Sequence, residues 1–127
     1  MNKTILASGL LFGILAVVLG AFGAHGLKKV LSPEAINTFE TGVKYQMYHA
    51  LFLMVLSTLN VVSDGTKNVV FNLTVIGVVL FSFSIYLLAT NTLTSFDFKK
   101  IGFITPLGGT LLILGWGYLL FGILTKN

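Results

Sequence analysis

The chain has 127 residues, of which 55% are hydrophobic and only 9% are charged. A soluble domain carries about 25% charged residues, so this composition excludes an ordinary soluble fold, and its apolar content excludes a disordered chain. The lack of cysteine in the sequence excludes a disulfide scaffold and a thiolate metal site. A small integral membrane protein remains, with residues 1–127 forming a single membrane domain.

The formal net charge of +4 comes from lysines that stand at the ends of apolar runs. A nucleic-acid-binding protein would present a clustered basic face on a soluble module, so no nucleic-acid partner is expected. Lysines in these places are typical of helix ends anchored among lipid headgroups.

The first apolar run, residues 4–24, is long enough to cross a bilayer core, which takes about 20 residues. A cleaved signal peptide is the alternative, since Lys3 precedes the run and Ala21-Phe22-Gly23 resembles a cleavage site. The run is long for a signal peptide and three more apolar segments follow it. These features favour an uncleaved transmembrane helix.

The next stretch, residues 26–44, is amphipathic rather than uniformly apolar. Ser32-Pro33-Glu34 predicts a helix start, with serine as the N-cap, proline at the first helical position and an acid in the first turn. Ile36, Phe39 and Val43 then recur at helical spacing. We predict an amphipathic helical segment that lies at the membrane interface and continues into the second span.

Three further spans complete the predicted architecture, at residues 45–62, 69–90 and 101–124. Residues 63–66 predict a tight turn between the second and third spans, and residues 91–100 form a polar connection. Lipid requires the backbone to bond internally, so helices are expected throughout. The predicted fold is all-α: a polytopic membrane protein with four transmembrane helices and an amphipathic interfacial helical segment between helices 1 and 2.

The lysine distribution predicts an orientation. The positive-inside rule puts both long connections in the cytoplasm and both termini outside. The two sets of lysines are Lys28, Lys29, Lys44, Lys99 and Lys100 on the predicted inside, and Lys3, Lys67 and Lys126 on the predicted outside.

Glycines recur along one face of the first span and of the last span. Small faces let membrane helices approach closely. We favour packing within one four-helix bundle over a homo-oligomer interface, because such a bundle needs these faces in any case. The candidate packing glycines are Gly9, Gly13, Gly20, Gly108, Gly115 and Gly122.

Polar side chains at membrane depth are costly and often functional, and here they cluster around the first connection. We favour a structural role in which neutral histidines bond a tyrosine or a backbone carbonyl, over a proton relay that uses imidazoles titrating near neutrality. The histidines and acids lack a metal-site spacing, and no catalytic motif occurs, so no metal, cofactor or enzymatic activity is expected. The candidates are His25, Thr41, Tyr45, Gln46, Tyr48 and His49.

The chain resembles a known family along nearly its whole length. The matching segments are Gly20-Ala-Phe-Gly-Ala-His-Gly-Leu27, Phe39, Thr41-Gly42, Tyr45-Gln46, Tyr48-His49-Ala50-Leu51, Ser84-Ile85-Tyr86, Thr105-Pro106-Leu-Gly-Gly109 and Gly115-Trp116. These motifs are similar to those of the domain of unknown function 423 family, small four-helix bacterial membrane proteins of the UPF0382 type. The resemblance implies a four-helix inner- or plasma-membrane protein with no assigned biochemical activity. It adds Gly26, Thr105 and Pro106 to the candidate cluster.

The leading hypothesis is a non-enzymatic, multi-pass protein of the bacterial plasma membrane. Its role would be structural, or it would bind membrane lipid, a partner membrane protein or a second copy of itself. The alternative is a small oligomeric channel or permease-like protein that uses the His25/His49 cluster. A membrane enzyme or a quinone-type redox partner is the least favoured reading.

Overall fold

The computed structural model describes residues 2–93, 97, 100 and 102–126, and nearly all of them are helical. No strand occurs within these described ranges, which confirms the all-α prediction. A 3₁₀ turn, Asn91–Leu93, follows the third long helix. The four long helices are α1 (Lys3–Leu27), α2 (Pro33–Thr58), α3 (Asp64–Ala89) and α4 (Ile104–Thr125).

Side-chain oxygens begin three of the four helices. The Asn2 side chain accepts a hydrogen bond from the Ile5 backbone N–H and caps α1. Ser32 caps α2 by accepting from the Ala35 N–H at 3.1 Å, with Pro33 as the first helical residue. This confirms the helix start predicted at Ser32-Pro33-Glu34.

The prediction of a tight turn at residues 63–66 is wrong. Ser63 is the N-cap of α3, and its side-chain oxygen accepts from the Thr66 N–H at 3.1 Å. The polar residues after it form the first helical turn, because a serine hydroxyl can bond an N–H group that lacks a helical partner. The chain instead reverses direction across residues 59–63, where Leu59 is extended with ψ of 134°.

Helix α2 is one continuous helix of 26 residues that contains residues 33–44 of the predicted amphipathic segment and most of the predicted second span, whereas residues 26–32 lie in the end of α1 and in the connection. It ends at Thr58, before the predicted boundary at residue 62. Helix α3 begins at Asp64 rather than at residue 69. The fourth span was predicted from residue 101, which lies outside the described residues, and α4 is described from Ile104.

Two of the helices contain π-helical turns that the sequence did not predict. They lie at Leu19–Gly23 in α1 and Val79–Phe83 in α3. A π turn accommodates one extra residue without breaking the helix, and such turns are frequent at functional sites. Both turns pack against the same part of α2, since Gly20 faces Val43 and Ser82 bonds the Gly42 carbonyl.

The helices pack in chain order, with α1 along α2, α2 beside α3, and α3 along α4. The core between them is apolar and includes Ile5, Leu53, Leu56, Val70 and Val78, which are at most 1% exposed. Large apolar side chains cover the outer faces. Among the described residues, α1, α3 and α4 are long and apolar enough to cross a membrane.

The candidate glycines face neighbouring helices of the same chain. On α1, a Cβ at Gly9 would stand 2.8 Å from the Ala50 carbonyl oxygen, whereas Gly13 has room for a methyl group. On α4, a Cβ at Gly108 would stand 2.7 Å from the backbone carbonyl carbon of Leu80 on α3. The remaining glycines also face side chains across the α1–α2 contact or the α3–α4 part of the bundle: Gly20 faces Val43, Gly115 faces Thr74 and Gly122 faces Thr66.

Candidate functional site

Gln46 lies at the centre of the polar interior and connects three helices. It is fully buried on α2. Its Nε2 donates a hydrogen bond to the Phe12 carbonyl oxygen of α1 at 2.9 Å, and its Oε1 accepts one from the Tyr86 hydroxyl of α3 at 2.6 Å. Both ends of the carboxamide are therefore bonded within the protein.

Two serines of α3 extend this set of interhelical bonds. Ser82, inside the π turn, donates to the Gly42 carbonyl of α2 at 2.8 Å. Ser84 donates to the Phe81 carbonyl, and its oxygen lies 2.6 Å from the Thr105 hydroxyl of α4. Since the Ser84 proton is used locally, Thr105 is the donor of the interhelical bond. These contacts tie α3 to both of its neighbours.

His49 joins α2 to α4 through a hydrogen bond with Trp116. Trp116 Nε1 donates to His49 Nε2 at 3.0 Å, and His49 Nδ1 lies 2.7 Å from the Tyr45 carbonyl oxygen. An indole N–H can only donate, so Nε2 must be the acceptor and Nδ1 must carry the proton. The two bonds define a neutral imidazole in one tautomer. The bond to a backbone carbonyl is one of the contacts that the sequence analysis expected of a neutral histidine.

Aromatic rings surround this bridge and form a cleft between α2 and α4. Tyr45 stacks on Phe81 with ring centroids 5.0 Å apart, and Phe52 packs on Trp116 at 4.2 Å. The cleft encloses about 380 Å³ and opens outward, where Trp116 is half exposed. Tyr48 points to the outer surface and contacts Tyr45.

The other candidates are not part of this network. His25 and Gly26 are exposed at the end of α1. Gly23, two residues before His25, faces Phe39, which lies ten residues before His49 on α2. A helix rises 1.5 Å per residue, so the two histidines are separated by at least about 15 Å.

Two further candidates lie on exposed helix surfaces. Thr41 donates its hydroxyl proton to the Asn37 carbonyl of its own helix. Pro106 stands in the first turn of α4, where its carbonyl accepts from the Thr110 hydroxyl. The predicted cluster therefore divides into an interior part, around Gln46 and His49, and an outer part.

Tyr86, Ser82 and Lys67 are structural residues whose roles the sequence did not reveal. Ser82 and Tyr86 stand four residues apart in an apolar span and so share a helix face, which is a weak signal of an interior polar face. Lys67 was expected among headgroups but is only 5% exposed. Its Nζ lies 3.5 Å from the Ser57 carbonyl at the end of α2, where a positive charge is favourable.

The buried polar side chains of the described residues are all hydrogen-bonded. Within the residues that the structure describes, every buried side-chain nitrogen and oxygen has a hydrogen-bond partner. In the same part of the chain, no group of three or more histidines and acids comes close enough to hold a metal ion. The polar interior is thus suited to holding helices together.

Comparison with known proteins identifies the family. A family model described as "Protein of unknown function (DUF423)" matches residues 19–109. The chain is 39% identical over 120 residues to a UPF0382 membrane protein of Staphylococcus saprophyticus, covering 94% of this chain and 96% of that one. It is 40% identical over 116 residues to the UPF0382 membrane protein YwdK of Bacillus subtilis, covering 90% of each.

A third relative, a UPF0382 membrane protein of Haemophilus influenzae, is 36% identical over 112 residues, which cover 88% of this chain and 86% of that one. No solved structure matches the chain. The long apolar helices agree with the membrane description that all three relatives carry. The chain belongs to the DUF423 family of membrane proteins.

Proposed function

We propose that the protein is a four-span, multi-pass protein of the bacterial plasma membrane whose role is non-enzymatic: a helical scaffold that binds lipid or a partner membrane protein through its outer surface. One observation carries the proposal. The buried polar groups of the described residues are bonded to one another, with Gln46 and His49 each bonded at both ends. No buried side-chain group of that part of the chain is left over for a substrate.

A fourth span is supported by the pairing of α2 with α1. Gly23 of α1 faces Phe39 of α2, and Gly9 faces Ala50, so the two helices are antiparallel and overlap over most of their length. A helix that accompanies a membrane-spanning neighbour in this way crosses the same layer. The polar residues that lower the hydropathy of α2 include Gln46 and His49, which are buried and bonded, so their cost in lipid is reduced.

The channel alternative is less well supported. The separation of His25 from His49 leaves no shared histidine gate, and His49 is occupied by Trp116 and the Tyr45 carbonyl. A pore would have to form between copies of the chain, since four helices packed around an apolar core leave no room for one inside.

Cysteine labelling tests the fourth span. The sequence has no native cysteine, so single-cysteine variants report one site each. Val30, between α1 and α2, and Val61, between α2 and α3, are both exposed. We expect Val61→Cys to react with a membrane-impermeant maleimide on intact spheroplasts, and Val30→Cys to react only after permeabilisation. The cysteine-free parent is the background control. Labelling of both variants from one side would refute the fourth span.

Native mass spectrometry tests the functional class. Protein released from nanodiscs should appear as a monomer or a dimer that retains lipid. A closed ring of four or more copies without bound lipid would refute the scaffold proposal and favour the channel alternative.

A further inference from the structure

A polar pocket lies at the end of the molecule where α1 meets α2, away from the bonded interior. It encloses about 480 Å³ between the connection that follows α1 and the first two turns of α2. Its lining consists of Lys28, Leu31, Pro33, Ile36, Asn37 and Glu40.

The lining of the pocket carries one charge of each sign, Lys28 and Glu40, and these two side chains form no ion pair with each other. Among the described residues, the side chains of Lys28 and Glu40 have no hydrogen-bond or ion-pair partner. In the same described part of the chain, the carboxamide of Asn37 also has no hydrogen-bond partner, and the Thr41 hydroxyl bonds the backbone carbonyl of Asn37 instead. A pocket with an ammonium, a carboxylate and an amide fits a zwitterionic ligand.

Its depth puts the pocket among lipid headgroups. The apolar helix α1 ends at Leu27, and Lys28 follows at once. Glu40 stands next to Phe39, which faces Gly23, four residues below the end of α1. Four residues of helix span about 6 Å, the depth that interfacial amphipathic helices occupy. Leu31 and Ile36 are buried beneath the polar groups and make the floor apolar.

We propose that this pocket binds the phosphoethanolamine headgroup of a membrane phospholipid. Lys28 binds the phosphate, and Glu40 with the Asn37 side-chain oxygen accepts hydrogen bonds from the primary ammonium. The inference rests on the proposed membrane scaffold and names the lipid class that one of its outer surfaces selects.

Charge complementarity discriminates against other headgroups. A phosphoglycerol headgroup has no positive charge to pair with Glu40. A phosphocholine headgroup has a cation but no N–H to donate, and choline sites use aromatic cages. Among the residues that the structure describes, no aromatic side chain lines this pocket. Phosphoethanolamine satisfies both charges and the amide.

The test is lipid retention by the full chain. The protein is reconstituted in nanodiscs with equal amounts of phosphatidylethanolamine, phosphatidylcholine and phosphatidylglycerol of identical acyl chains, and retained lipid is identified by native mass spectrometry. The pair between Lys28 and the phosphate is common to all three lipids, so the preference comes from the contact of the ammonium with Glu40, and one exposed charge pair predicts a preference of about 1.5- to 5-fold for phosphatidylethanolamine over phosphatidylglycerol. We expect Glu40→Gln to remove the preference over phosphatidylglycerol, and Lys28→Met to reduce retention of all three lipids.

Matched controls keep the result specific. Glu34→Gln, six residues before Glu40, and Lys29→Met, at the residue after Lys28, make the same chemical changes outside the pocket lining. They should retain the wild-type preference. Equal retention of the three lipids by the wild type, or equal losses in the control variants, would overturn the proposal. The cysteine labelling above involves no lipid preference, so failure of the four-span proposal is seen separately.

Discussion

The tightest helix contact predicts a large difference between two glycine-to-alanine changes on α4. A Cβ at Gly108 would stand 2.7 Å from the Leu80 carbonyl carbon and 2.9 Å from the Gly77 oxygen, both backbone atoms of α3. A Cβ at Gly117 would meet nothing within 4 Å. Gly108→Ala must therefore displace a helix, whereas Gly117→Ala needs no rearrangement.

The magnitude follows from that geometry. The Phe81 backbone nitrogen is the atom nearest to that Cβ position, and ordinary contact begins at 3.4 Å, so α4 must move away from α3 by about 1 Å at this point. Overpacking of this kind costs about 1–3 kcal/mol, and a gap of 0.5–1 Å also weakens dispersion along the seam. Alanine gains up to about 1 kcal/mol of helix propensity over glycine at either position. We expect the unfolding free energy of Gly108→Ala to fall below that of Gly117→Ala by about 2 kcal/mol.

Equilibrium unfolding in mixed micelles measures the difference. Trp116 is the single tryptophan and reports on the α2–α4 contact by fluorescence, and circular dichroism reports on helix content. Gly117→Ala is the matched control, because it makes the same change on the same helix. If the two variants are equally stable, the close approach of α3 and α4 at Gly108 does not stabilise the packing of these two helices.

Two more predictions concern the interior hydrogen bonds. Interhelical hydrogen bonds in membranes contribute about 0.6 kcal/mol on average. Gln46→Leu removes two such bonds and should lower the unfolding free energy by about 1 kcal/mol, and Tyr86→Phe should lower it by about half of that. Wild-type stability in both variants would contradict the proposed contribution of these bonds. The single indole N–H of Trp116 should change its chemical shift and exchange faster with solvent in His49→Ala. The exposed His25→Ala is the control and should leave the indole signal unchanged, and an unchanged signal in His49→Ala would disprove the bridge.

Local patterns made several features predictable. Ser32 before Pro33 predicted the start of α2, because capping depends on atoms within one helical turn. Small residues at three- and four-residue steps on α1, and glycines at every seventh residue on α4, indicated close faces on these helices, because helical periodicity aligns them whatever the partner. The prediction of a turn at residues 63–66 was wrong for a related reason. The residue types that favour a turn also favour the start of a helix, and the residues that follow decide which of these two structures forms.

Composition and periodicity by themselves determined the membrane class, the helical architecture and the location of the polar residues, since each of these depends on neighbours in the chain. Which polar groups meet was decided only by the tertiary structure. Gln46 bonds a tyrosine 40 residues away, and His49 bonds a tryptophan 67 residues away. These pairs depend on the register between helices, which close glycine contacts and π turns set, and apolar helices carry little sequence signal for it. Register likewise separates His25 from His49 and places Lys28 and Glu40 around one pocket, where neither has an ion-pair partner among the described residues.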